Sequence, residues 1–152
     1  MSQFCEMHRP PRGGVDPVDS ADAALAVIRL AISRPLRSET IALVLESDLR
    51  GRTIVIVDGT EEPDSLLEVV ERLVEAVASS SADVATDGCL VLATVRPDGG
   101  PEPGDGDRWL EASELAELAG VELVEWFVIS TDTGAPTAWC PRDLLGEPPR
   151  WP

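Results

Sequence analysis

The sequence contains no lysine, no asparagine and no tyrosine, and its one histidine is His8. All twelve basic residues are therefore arginines. The three missing types share AT-rich codons, which points to a GC-rich genome rather than to a functional constraint. A single histidine excludes any site built on two imidazoles. It also leaves a serine or cysteine nucleophile without a histidine base unless His8 supplies one. There is no Gly-x-Ser-x-Gly elbow and no Walker-type glycine loop. The three cysteines, Cys5, Cys89 and Cys140, form no Cys-x-x-Cys pair. Cys89 lies in an apolar run and reads as a core residue. "CEMH" brings Cys5 and His8 together, two ligands short of a structural zinc set.

Long apolar runs are absent as well. The longest helical one, "AALAVIRLAI", is too short to span a bilayer and contains Arg29. The first residues show no apolar signal segment, so the cytoplasm is the expected compartment and no membrane partner is expected. What the chain has in excess is acid. Its net charge is −16 over 152 residues. Residues 1–37 hold four acids (Glu6, Asp16, Asp19, Asp22) and five arginines, so nearly all the negative charge falls on the remainder. Such a surface repels phosphate backbones, and direct nucleic-acid binding is not expected.

At 43% apolar and 26% charged residues, the composition is that of a globular chain with a real core. Residues 1–18, rich in Pro and Gly, read as a mobile arm, and residues 19–152 as one domain with its core at 38–140. Helical spacing marks 19–33, with Asp19 or Ser20 as cap and Leu25, Ile28 and Ile32 on one face. "ETIALVLESD" (39–48) and "GRTIVIVDG" (51–59) predict an antiparallel hairpin. Residues 60–81 form the clearest helix, capped by Thr60 or Asp64, with Leu66, Val70, Leu73 and Val77 facing inward. "GCLVLATV" (88–95) suits a central strand covered on both faces. Residues 107–120 predict a helix from an Asp107 cap to Gly120, with Trp109, Leu110, Leu115 and Leu118 as its apolar residues. Residues 121–130 form a strand, 135–140 a short edge strand, and the tail packs through Leu144, Leu145 and Trp151. Helices interleaved with strands in this order predict an α/β domain of three layers, a mixed sheet with helices on both faces.

The loop between the central strand and the third helix, "TVRPDGGPEPGDGD" (94–107), carries a resemblance. Pro97, Gly99, Pro103 and Asp107 fall at the spacing of the pattern His-x-His-Pro-x-Gly-x-x-x-Pro-Ser-x-x-Asp. "GVELVEWFVI" then follows the helix as a second strand, and "ETIALVLESD" upstream opens with a glutamate. Over about residues 38–140 the chain resembles the RadC-like branch of the JAB/MPN (JAMM) metallohydrolase fold. The resemblance implies a zinc bound by two histidines and the aspartate, with the upstream glutamate as general base. Here the histidine positions hold Thr94 and Arg96, the serine position holds Gly104, and the later Asp-His pair is Glu125-Trp126. Of the metal-binding and catalytic positions, only Asp107 and Glu39 match.

Threonine is a poor zinc ligand, and arginine stays protonated and repels a metal. No zinc, no other cofactor and no catalysis are therefore expected. Arg96 is expected to take over the metal's electrostatic role by pairing with Asp107 and Glu39. The alternative leaves Arg96 in solvent and Asp107 as a cap. Calcium is a weaker reading. Asp98, Glu102, Asp105 and Asp107 offer hard oxygens, but the Asp-x-Asp-x-Asp-Gly order is missing. The resemblance implies an interaction module with an unidentified protein partner, for which Trp139 and Trp151 are candidate contacts. Two further expectations stand beside it: a hydrolase of the same fold with altered ligands, and a DNA-repair association carried only by the RadC label.

Overall fold

Ser20 starts the first helix as its sequence suggests. Its hydroxyl accepts the Ala23 N–H at 3.1 Å, and helix α1 runs Ala21–Ala31. The computed structural model of the chain describes residues 16–80, 88–131 and 136–152. The expected arm therefore lies mostly outside the described residues. Its last residue does not behave as an arm, because Val18 is 3% exposed and its N–H donates to the Leu49 carbonyl.

Strands β1 (Glu39–Leu45) and β2 (Gly51–Asp58) form the antiparallel hairpin. Helix α2 follows at Ser65–Ser80, strand β3 at Cys89–Arg96, helix α3 at Asp105–Leu118 and strand β4 at Glu122–Thr131. A short β5 (Pro136–Trp139) and a single stretch of 3-10 helix (Pro141–Leu145) complete the chain. The sheet order is β2-β1-β3-β4-β5. It is mixed, since β3 and β4 run parallel while the other pairs are antiparallel. The parallel step needs a crossover, which α3 supplies.

Side chains of a strand alternate between faces, so the sheet has two cores. One holds Ile41, Leu43, Leu45, Val91, Ala93 and Val95 beneath Ala24 and Ile28 of α1 and Ile32 just after it. The other holds Ala42, Val44, Leu90, Leu92, Trp126 and Val128 beneath α2 and α3. Helices on both faces of a five-stranded mixed sheet make the expected three-layer α/β arrangement. β3 is buried at every position but its last, as its unbroken apolar run requires.

Several local expectations need correction. Thr60 caps nothing; it is buried and its hydroxyl accepts from Thr40 at 3.0 Å. Leu110 and Leu118 of α3 are exposed, 44% and 85%, because Ala112 and Ala116 turn to the core with Trp109. In the tail, Leu144 and Leu145 are also largely exposed, although Leu145 lies against Gly106. Val77 lies where side chains are not described.

β5 pairs with β4 only over Val128–Thr131. The tail attaches to the earlier part of β4. Arg150 donates to the Leu123 carbonyl at 2.8 Å and to Ser113 Oγ, and its guanidinium stacks 4.3 Å from the Trp109 ring centre. Trp109 Nε1 in turn donates to Glu147.

Candidate functional site: the loop at the end of strand β3

Strand β3 delivers Thr94 and Arg96 to the same face of the sheet, two residues apart. Thr94 stands opposite Thr40 on β1 and Val128 on β4. It is 6% exposed, and its Oγ accepts Trp126 Nε1–H at 2.9 Å. The two positions where the resemblance implies a histidine and its later partner thus hold a neutral, mutually satisfied hydrogen bond.

Arg96 turns the corner into the loop. A turn is closed by the Gly99 N–H on the Arg96 carbonyl. The chain then reaches α3 through Gly104, which caps the helix at φ 88°, a left-handed conformation that favours glycine. This backbone accounts for glycine at the position where the pattern has serine. It also moves the start of the helix. α3 begins at Asp105, two residues before the predicted cap.

That shift changes the ion pair. Arg96 does not pair with Asp107 or Glu39; it pairs with Asp105. Nη1 donates to Oδ2 and Nη2 to Oδ1, both at 2.9 Å, the bidentate fork that guanidinium and carboxylate planes favour. Nη1 also donates to the Gly100 carbonyl. The same carboxylate accepts the Glu102 N–H at 2.8 Å and Arg108 Nη1 at 3.0 Å. Arg108 continues to Asp64 beside α2, with Nε donating at 2.9 Å. The Asp105 side chain is 0% exposed, and those of Arg96 and Arg108 11% and 16%. Asp107 is exposed on the first turn, where its charge suits the helix dipole.

Burial alone would raise the Asp105 pKa, but Arg96, the Glu102 N–H and Arg108 together outweigh it and hold the carboxyl below its ordinary value. Asp105 is therefore a fixed anion between two fixed cations.

Glu39 is placed elsewhere by strand parity. It stands opposite Val95 and shares the α1 face with Ile41. Its buried carboxylate accepts the Ser33 N–H and the Ser33 hydroxyl, both at 2.8 Å, and Arg37 lies 3.6 Å away. Arg96 and Thr94 face the other layer. The expected Arg96–Asp107–Glu39 cluster is thus not assembled: its three members have different partners or none.

A shallow cleft of about 190 Å³ lies over the loop, bordered by Ser38, Thr60, Glu61, Arg96, Asp98 and Glu102. The residues there do not fit a zinc ion. Thr94 spends its oxygen on Trp126, Arg96 brings positive charge, and Asp105 is enclosed by arginines. They fit calcium no better, since of the four acids proposed, Asp105 is already saturated and Asp98 and Asp107 are exposed. Among the described residues no group of three or more His, Cys, Asp or Glu side chains is placed to hold a metal.

A second buried carboxylate, Glu125, occupies the α1 face beneath the tail. It is 0% exposed and accepts Arg142 Nε at 2.9 and 3.1 Å and Trp151 Nε1 at 3.3 Å. Burial and the Glu125 charge push the neighbouring Cys140 thiol up to about 12, so it is protonated and unreactive at neutral pH. Trp151 is half-buried, donating to Glu125 and packing against the core on the α1 face. Trp139 likewise packs against the core beneath α2 and α3, and its shielded Nε1 has no hydrogen-bond partner among the described residues.

Sequence reasoning named Asp105 only as a calcium candidate, not as the partner of Arg96, and missed Arg108, Arg142 and Glu147. A signal for Asp105 was available: a glycine followed by an acid marks the start of a helix as well as a serine does. Spacing to the family pattern drew attention to Asp107 instead. No protein-family model matches the chain, and no curated protein matches it. Among the described residues no helix is long and apolar enough to cross a membrane.

Proposed function

We propose that this chain is a non-catalytic domain of the RadC-like JAB/MPN type that works by binding another protein. The observation that carries this reading is the Arg96–Asp105 fork, at the loop where the resemblance places a metal. A guanidinium supplies positive charge to the loop and helix start without the open coordination position that hydrolysis by zinc requires. The order hairpin, helix, strand, loop, helix, strand agrees with the pattern that suggested the family. The separation of Glu39 from Arg96 on opposite faces removes the general base from the loop, which weighs against the hydrolase reading. The charge of −16 weighs against direct contact with DNA.

The test is affinity purification from the native cells, combined with a peptidase and isopeptidase assay on the same sample with zinc added. The reading predicts a stoichiometric protein partner and no zinc-dependent turnover. Purification of the chain alone, with turnover that rises on adding zinc, would contradict it.

A further inference from the structure

We infer that the groove between helix α3 and the C-terminal tail takes up a basic, amphipathic helix of another protein, which rests on the proposed function and gives it a surface and a partner chemistry. Gly106, Leu110, Ser113 and Glu117 recur at i, i+4, i+7 and i+11, so they lie along one side of α3. The tail runs beside them. Leu145 packs on Gly106, and two turns further Arg150 donates to Ser113 Oγ at 3.1 Å. The groove so formed has two unlike ends.

At the first end three leucines meet water. Leu110, Leu144 and Leu145 are 44%, 59% and 42% exposed. Gly106 lets the 3-10 helix approach this closely, since a Cβ there would stand 3.1 Å from Leu145 Cδ2. Single exposed leucines need no explanation, but three on adjoining turns form a patch, and apolar patches mark binding surfaces. At the other end lies a cleft of about 430 Å³, bordered by Ser113, Glu117, Val121, Glu122, Leu123 and Arg150. Val121 and Leu123 give it an apolar wall. Its mouth is acidic: Glu117 and Glu122 are exposed, and among the described residues neither has an ion-pair partner. Arg150 does not reverse that sign. Its guanidinium stacks on Trp109, donates to the Leu123 carbonyl and is matched by Glu147 at 3.4 Å.

The two ends together select the occupant. A leucine-like side chain fits the first. An arginine or lysine fits the second, with its stem on Val121 and Leu123 and its charge at the two glutamates. Leu110 and Glu117 stand seven residues apart on α3, about 10 Å along its axis. An apolar and a basic residue at i and i+7 of a partner helix span the same length, as in helix-in-groove recognition. A second copy of this chain does not suit the cleft, because at −16 it brings acid to acid.

The probe is a fluorescein-labelled helical peptide with a leucine face and a lysine face, beside a control peptide with glutamate in place of lysine. Fluorescence anisotropy on the full chain should show saturable binding of the lysine peptide and none of the control. Leu110→Ser with Leu144→Ser should weaken it roughly fivefold or more, and so should Glu117→Gln with Glu122→Gln. Glu68→Gln with Glu71→Gln removes the same charge from the exposed side of α2 and should leave the affinity unchanged. Circular dichroism verifies the fold, and the glutamate pair carries the test if the leucine pair unfolds. No binding of the lysine peptide overturns the inference. So does binding that the leucine pair leaves intact, or that the α2 pair weakens as much as the groove pair. Affinity purification with the same variants separates the groove from the proposed function. A native partner held equally by wild type and by the groove variants removes the groove and leaves the function standing. If wild type holds no partner, the function falls and the peptide titration decides the groove by itself.

Discussion

Replacing Asp105 by alanine is the sharpest perturbation of the loop. The carboxylate accepts four hydrogen bonds, from Arg96 twice, from Arg108 and from the Glu102 N–H, and is 0% exposed. Removing one member of a buried ion pair costs about 3–5 kcal/mol, because the partner's charge is left behind. Arg96 and Arg108 keep the Gly100 and Pro103 carbonyls and some access to water. The lower end, about 3 kcal/mol, is therefore expected. For a chain of this length that loss lowers the melting temperature by roughly 6–12 °C. Asp107→Ala, at an exposed position without a bonded partner, should change stability by less than about 0.5 kcal/mol. Urea unfolding followed by circular dichroism measures both. Acid provides a second readout. The folded Asp105 carboxyl holds its proton less tightly than the unfolded one, so the unfolded chain takes up the proton first as pH falls. The stabilisation is complete above the ordinary value near 3.8 and disappears as pH falls through the lower folded value. Asp105→Asn should flatten that acid limb. An Asp105→Ala variant within about 0.5 kcal/mol of wild type, or an Asp107→Ala variant equally destabilised, would mean that the buried pair does not hold the loop.

Three other outcomes follow from the same geometry. Glu125→Ala leaves Arg142 and Trp151 without their buried acceptor; it should cost about 3 kcal/mol and make the tail beyond Cys140 cleavable in limited proteolysis. Thr94→Val strands the buried Trp126 N–H and should cost about 1–3 kcal/mol in urea unfolding, whereas Trp139→Phe removes an N–H that has no partner to lose and should cost less than Trp126→Phe. Cys140, with its thiol pushed up to about 12, should resist iodoacetamide at pH 8 in the folded protein and react readily in urea, as followed by mass spectrometry.

The elements of this fold were readable because their periods are clear. The alternation of "ETIALVL" and "GRTIVIV", the unbroken run at Cys89–Val95 and the spacing of Leu66, Val70 and Leu73 each fix one element within a few residues. Apolar content alone misled at Leu110 and Leu118, since small alanines took the inner face of α3 and packed it close to the sheet. The site was legible only in part. Arg96 pairs with an acid of this loop, but which acid it meets depends on where α3 starts. A left-handed glycine decides that start, and spacing to a motif does not report it. Glu39 was lost to strand parity, which becomes usable only when the register with β3 is known. The tail's attachments join residues far apart in sequence, such as Trp109 to Glu147 and Glu125 to Arg142, and no local pattern encodes them.

An arginine–aspartate pair holds the loop where the resemblance places zinc. Metal analysis of the purified chain by inductively coupled plasma mass spectrometry, after equilibration with excess zinc and desalting, tests it most directly. The expected result is well under one zinc per chain, with a melting temperature unchanged by chelator. One zinc per chain, lost together with stability on chelation, would contradict it.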